Sequence, residues 1–255
     1  MRILSSIILA FFIGSCASID TKDQHSRKIR DLEKQYESRS WADRLKAVEA
    51  ADSFRDSNAE KFLIKACSDS HEKVKYAALD QLKNYDTPGT RAYLRNTVLS
   101  EPNTNIRWIC TRSLAVICNP SDNDLFIRLC TEKNWIVREQ AALGFLKTST
   151  DEVINRNLQT LTGLLNDPSE NVRMIVLNNV TCRNSVILSE LSKQIQAENV
   201  AYRPEYLSLL LKALTGYKLD EKTRNIAAQF VTHPNENVRI AAYTCVRTSD
   251  GIKDQ

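Results

Sequence analysis

Glycine and proline are scarce, six of each among 255 residues, so little in this chain interrupts a helix. The long stretches between them are rich in Leu, Ile, Ala, Lys, Arg, Gln and Glu, which lose little side-chain freedom in a helix. An all-α protein is the expectation. An excess of one charge is also missing: 35 basic and 31 acidic residues are interspersed and leave a net charge of +4. A nucleic-acid binder needs a concentrated basic stripe to neutralise phosphates and release their counterions, and none is visible, so no nucleic-acid partner is expected. Histidine is down to three residues, His25, His71 and His233, with no Cys or carboxylate at metal-ligand spacing. The sequence has no Gly-rich phosphate loop, no G-x-S-x-G elbow, no H-E-x-x-H and no Cys-x-x-Cys pair. We therefore expect no catalytic residues, no metal and no cofactor.

A long apolar run is absent as well. The longest, Ile3 to Ile13, reaches only about 16 Å as a helix, against roughly 30 Å of bilayer hydrocarbon. With Arg2 before it and small residues after it, the segment has the shape of an export signal. Ile13-Gly14-Ser15-Cys16 resembles the bacterial lipobox, with Ile in place of the commoner Leu. That resemblance implies cleavage after residue 15 and lipidation of Cys16, with palmitate as an expected acyl group, because several chains make a stable anchor. An ordinary signal peptide cut after Ala17 and an uncleaved anchor are the alternatives. Residues 16–28 then read as a lipidated terminus and polar tether. Ala17, rather than Asp, points to the outer membrane if the host is Gram-negative.

Aligning the rest of the chain with itself reveals a repeated pattern: an acid or polar residue, a turn, Val or Ile, Arg or Lys, and an apolar helix. Five plain copies begin at Asp69, Glu101, Glu132, Asp167 and His233, and carry Lys75, Arg107, Arg138, Arg173 and Arg239. Their spacings are 32, 31, 35 and 66 residues, and the last gap has room for a degenerate copy at Arg203. Another weak copy at Arg44 lies 31 residues before Lys75, giving seven units. The pattern resembles the HEAT-repeat family, particularly the short bacterial form also seen in phycobilisome-lyase-type repeats. It implies an α-solenoid (superhelix) of about seven helical hairpins over residues 29–250, with a polar tail at 251–255. The first helices of the hairpins read as 29–36, 59–68, 90–100, 122–131, 151–166, 186–197 and 220–231.

At 100° per residue, Val74, Ile106, Val137, Val172 and Val238 share a core face with the residues three and seven after each basic position. The family resemblance further implies an inter-repeat ladder of Asp69, Glu101, Glu132 and Asp167 with Lys75, Arg107, Arg138, Arg173 and Arg239. One place after the basic residue, on the opposite face, stand Tyr76, Trp108, Glu139, Met174, Pro204 and Ile240. Four of the six are large and apolar, and the wheel turns them toward solvent. In HEAT solenoids the second helices line the concave face, so Tyr76, Trp108, Met174 and Ile240, flanked by Lys83 and Arg112, form a candidate protein-binding stripe. The competing reading packs them against neighbouring helices.

Beyond Cys16 there remain Cys67, Cys110, Cys118, Cys130, Cys182 and Cys245. Cys110 and Cys130 stand at similar heights across a turn at Asn119-Pro120, where a bridge would form in an oxidising compartment. Cys110 also fills a core position held elsewhere by Ala78 and Ala242, which suits a packed thiol. The function expected is a lipid-anchored interaction scaffold of the cell envelope. The alternative is an accessory subunit or lyase-like enzyme holding a small molecule in the groove, implied by the likeness to bilin-lyase repeats.

Overall fold

The computed structural model describes residues 24–197 and 203–251. Residues 1–23, with Cys16 and most of the expected tether, lie outside the described residues, as do 198–202 and 252–255. Every regular element among the described residues is helical, and none is long and apolar enough to cross a membrane. The fold is an α-solenoid of helical hairpins. It divides into two compact units, up to Ile117 and from Cys118.

The first unit holds α1 (24–36), α2 (Trp41–Ala51), α3 (Ser57–Ala66), α4 (Glu72–Gln81), α5 (Pro88–Ser100) and α6 (Thr104–Ile117). Helices α3 and α4, and α5 and α6, pack as hairpins, while α2, α4 and α6 stack side by side as a row of second helices. Helix starts are written into the sequence. Asp56 accepts from the N–H groups of Asn58 and Ala59, and Thr87 accepts from that of Thr90, with Pro88 in the first turn. Helix α1 is already formed at residue 24, so 24–28 are helix rather than tether. Tertiary contact explains the extension: Ile29 is buried, and His25 meets the Phe54 ring edge-on at 5.4 Å.

The second unit holds α7 (Asn123–Leu129), α8 (Trp135–Thr148), α9 (Asp151–Arg156), α10 (Leu158–Leu165), α11 (Glu170–Asn179), α12 (Ser185–Gln196), α13 (Pro204–Leu214), α14 (Glu221–Gln229) and α15 (Glu236–Gly251). Its second-helix row runs α8, α11, α13, α15. Two expected helices are interrupted. The span 151–166 breaks at Asn157, whose side-chain amide donates to the Val153 carbonyl at 2.8 Å and competes with the backbone for it. The span 220–231 ends in a 3₁₀ turn, Phe230–Thr232.

The five residues before the basic positions are buried, as are the positions three after them, including Ala78, Cys110, Ala141, Val176 and Ala242. Seven residues on, Leu82, Leu114 and Phe145 are also buried, whereas Val180 and Val246 are only half-buried. Helices α7 and α8 approach so closely that a methyl group built on Gly144 would overlap the Phe126 ring.

The basic residues do two jobs. Each of Arg44, Arg138, Arg173 and Arg239 donates through Nη1 to the carbonyls six and five residues upstream: Ser38 and Arg39, Glu132 and Lys133, Asp167 and Pro168, His233 and Pro234. Two of them also grip the next repeat. Arg44 holds Asp69 with bonds of 2.7 and 2.9 Å, and Arg138 holds Asp167 with bonds of 2.7 and 2.8 Å, both bidentate. The ladder implied by the resemblance is discontinuous. Lys75 makes no ion pair among the described residues, lacking the guanidinium fork, and Glu101 accepts instead from its own Asn103 N–H. Six residues before Arg203, where the ladder would place an acid for Arg173, stands Ala197, which has no side-chain acceptor. Arg173 Nε lies 3.3 Å from the Tyr206 hydroxyl, which in turn donates to Gln194 Oε1 at 2.8 Å.

Burial alone would raise the pKa of Asp69, which is 6% exposed, but hydrogen bonds from Arg44, the His71 N–H and Tyr36 outweigh it and hold the carboxyl at about 2. A depressed carboxylate contributes stability that is present above its unfolded pKa of about 3.9 and is lost as pH falls through the folded value. Acid titration of the wild type should therefore show a loss of stability between about pH 4 and pH 2 that Asp69→Asn flattens, followed by chemical denaturation. Arg44→Met should destabilise the first unit by about 3 kcal/mol, having left a buried carboxylate unpaired. Gly144→Ala should lower the stability of the second by about 1–3 kcal/mol, where an ordinary helical Gly→Ala change would raise it.

Candidate functional site

In the first unit the candidate surface is built on α4, which carries Tyr76, on the 3₁₀ turn Leu82–Asn84 that follows it and carries Lys83, and on α6, which carries Trp108 and Arg112. The sequence reading missed the residue that organises it. Asp80 receives Lys83 Nζ on one oxygen at 2.6 Å and Arg112 Nη1 on the other at 3.1 Å. The Arg112 guanidinium also stands 5.7 Å from the Trp108 ring centroid, within cation–π range. The charges flanking the aromatic are thus joined through one carboxylate. A signal for it was present: Asp80 and Arg112 occupy the same place in consecutive repeats, five after the basic position.

Beside this cluster, between α2 and α4, lies an open depression of about 430 Å³ lined by Glu49, Asp52, Arg55, Asp80 and Lys83. Its floor is fixed by Gln81, whose amide donates to the Val48 carbonyl at 2.8 Å. Mixed charge around a shallow floor suits a polar protein surface better than an enclosed small-molecule site.

Exposure differs from the helical-wheel expectation. Tyr76, Trp108 and Met174 are half-buried, and of the four stripe residues only Ile240, at 56%, is exposed. The wheel treats each helix alone, whereas neighbouring second helices stack beside α4, α6 and α11 and cover part of each side chain. In the second unit, Met174 on α11 and Ile240 on α15 are on helices that each flank α13. A depression of about 290 Å³ lies where Pro204, Glu205, Ser208 and Lys212 of α13 face Asn235 and Asn237. Arg203 points elsewhere, pairing with Glu170 at 2.6 Å.

The histidines are absorbed by local structure. His71 stacks on Trp41 at 4.2 Å with rings nearly parallel, and His233 Nδ1 accepts from the Asn235 N–H at 3.1 Å. His233 therefore fills the acceptor place taken by Asp69 toward His71 and by Asp167 toward Ser169. No group of three or more His, Cys, Asp or Glu with metal-binding geometry occurs among the described residues. The six described cysteines are free thiols, all buried except Cys118. Burial pushes the thiols of Cys110 and Cys130 up to about 12 and that of Cys245 to about 11, so they are protonated and pack as small apolar groups.

Residues 29–115 match the family described as HEAT repeats. No curated protein matches the sequence. Among solved structures, the Escherichia coli protein YibA is 15% identical with a TM-score of 0.55, covering 89% of this chain and 96% of its own. An engineered protein is 15% identical at 0.54, over 87% of this chain and 68% of its own. The CpcE–CpcF complex of phycocyanin lyase from Nostoc is 15% identical at 0.50, over 86% and 93%. At such identity these likenesses define the fold, and with the repeat match they place the protein in the class of HEAT-like solenoids.

The thiol environments give a direct check. In native protein, iodoacetamide should label Cys118 first, while Cys67, Cys110, Cys130, Cys182 and Cys245 should react only after denaturation. Peptide mapping without reductant should recover all six as alkylated thiols; a Cys110–Cys130 peptide pair would contradict the free state.

Proposed function

We propose that this protein is a lipid-anchored scaffold of the cell envelope, tethered through Cys16, whose α4–α6 face binds a protein partner. Tyr76 and Trp108 supply the apolar anchors, and Lys83 and Arg112 supply the charged rim; Met174 offers a further apolar contact in the second unit. The observation that carries the reading is the Trp108 ring half-buried beneath Arg112, with Asp80 fixing both cations. An aromatic and an arginine held in place before binding lose little freedom on association, which is the usual make-up of an energetic hot spot. The lipobox resemblance of Ile13-Gly14-Ser15-Cys16 supports the anchor and, with Ala17, an outer-membrane address in a Gram-negative host.

A second reading draws on the fold shared with CpcE–CpcF: an accessory subunit or lyase-like enzyme that holds a small molecule in its groove. Colour or a co-purifying small molecule in protein isolated from its native membrane would favour it.

The main reading is tested by cross-linking and affinity purification from native membranes. Trp108→Ala and Tyr76→Ala should each weaken recovery of the cross-linked partner about tenfold or more without changing the circular dichroism spectrum. Partner recovery unchanged in both variants removes the α4–α6 face from the proposal. Cys16→Ser should leave the membrane fraction and lose labelled palmitate; a variant still in the membrane, with no label on the wild type, rules out the lipid anchor.

A further inference from the structure

The repeats provide their own control for surface exposure. Four residues after the basic position stand Val48, Leu79, Ala142, Leu177 and Leu207, on α2, α4, α8, α11 and α13, each at most 4% exposed. Each of these helices has the next second helix packed beside it within its own unit. The same position on α15 is Tyr243, and it is 61% exposed. One place after the basic residue the contrast recurs: Leu45, Tyr76, Glu139, Met174 and Pro204 are half-buried, and Ile240 is 56% exposed. Among the described residues no second helix packs on this side of α15, so Ile240 and Tyr243 stand exposed on the face that the other second helices turn to a neighbour.

The chemistry of that face selects its occupant. Glu236, Ile240, Tyr243 and Arg247 are all exposed and spaced by four, three and four residues, which aligns them along one side of α15. The stripe is symmetric about the point midway between Ala241 and Ala242, with the acid at one end and the base at the other. Laid antiparallel on its own copy, it sets Ile240 against Tyr243 twice and Glu236 against Arg247 twice. A parallel arrangement would set Glu236 on Glu236 and Arg247 on Arg247. Neither Glu236 nor Arg247 makes an ion pair within the chain among the described residues, so both are available.

We infer that α15 is a homodimerisation helix, pairing antiparallel with α15 of a second copy across a two-fold axis near Ala241 and Ala242. Each copy contributes the same patch, as an isologous interface requires. The contact takes the place on α15 that the next second helix takes on α2, α4, α8, α11 and α13, and covers Ile240 and Tyr243 as their counterparts are covered. The residues it uses all belong to α15, and none of them to the α4–α6 face of the first unit.

The test uses the full chain in density-matched detergent, by sedimentation equilibrium from micromolar to submillimolar concentration. The wild type should be a reversible dimer and Tyr243→Asp a monomer. Glu236→Arg and Arg247→Glu, each placing like charges together twice per dimer, should weaken association about tenfold, and the double variant E236R/R247E should restore it. These positions are exposed in the single chain, so the variants should keep the wild-type helical content. A wild type that stays monomeric throughout, a Tyr243→Asp variant that still dimerises, or a double charge swap no tighter than either single one would each overturn the inference. A monomer that still binds its envelope partner through Trp108 would refute the dimer alone.

Discussion

A guanidinium has five donors on one rigid plane, and Arg138 uses them in two directions at once. One nitrogen closes the turn of its own hairpin by bonding the Glu132 and Lys133 carbonyls, while the other two nitrogens grip both oxygens of Asp167 in the next hairpin. Arg44 repeats the arrangement with Ser38, Arg39 and Asp69. A hairpin of two short helices cannot bury its apolar faces alone, so it must be told at what height and angle to meet its neighbour. Apolar contact is tolerant of sliding. A bidentate bond between a turn and a carboxylate is not, and it couples the conformation of one turn to the placement of the next.

The acceptor side is equally constrained. Asp69 and Asp167 each accept a backbone N–H two residues ahead, which shapes the turn that leads into the following helix. The carboxylate therefore belongs to its own turn and to its neighbour's arginine together. Where the pair is not available, another device fills its place. Lys75 has no fork, and the α4–α6 junction is instead crossed by the Arg112–Asp80 bond and by the Ser113 hydroxyl donating to the Leu79 carbonyl at 3.0 Å. Arg173 finds a buried phenol in Tyr206. His233 keeps the acceptor role toward its own turn without any negative charge.

Much of this was legible from spacing. The period of the basic residue gave the number of hairpins, and the residue before it marked the buried face, because a helix repeats its facing every three to four residues whatever its surroundings. Three things were not legible, for one shared reason. The half-burial of Trp108, the role of Asp80 and the identity of the inter-repeat column all depend on what lies across from a helix, and a wheel has no neighbour. The fourth position after the basic residue is a mixed column of Val48, Leu79, Ala142, Leu177 and Leu207 beside a Thr at 111, so its shared burial was hidden by one polar member. The break at Asn157 was hidden differently, since a side chain that bonds the backbone leaves no trace in an apolar pattern.

Discontinuity in the ladder bears on how the protein can work. A solenoid tied by the same arginine–carboxylate pair at every joint would be uniform in stiffness, with a repeating surface and no preferred place for a partner. Here the Arg44–Asp69 and Arg138–Asp167 joints are locked by side chains only 3–14% exposed. The α4–α6 joint is held by the more open Asp80–Arg112 pair, with side chains 32–40% exposed. Water reaches that pair, so it contributes less to stability than a buried one and can be re-paired by an incoming charge at little expense. The aromatic with Arg112 over its face lies at this joint. A surface that recognises a partner needs polar groups whose present bonds are replaceable and apolar groups already held in place. In the first unit, that combination occurs where Lys75 leaves a gap in the ladder.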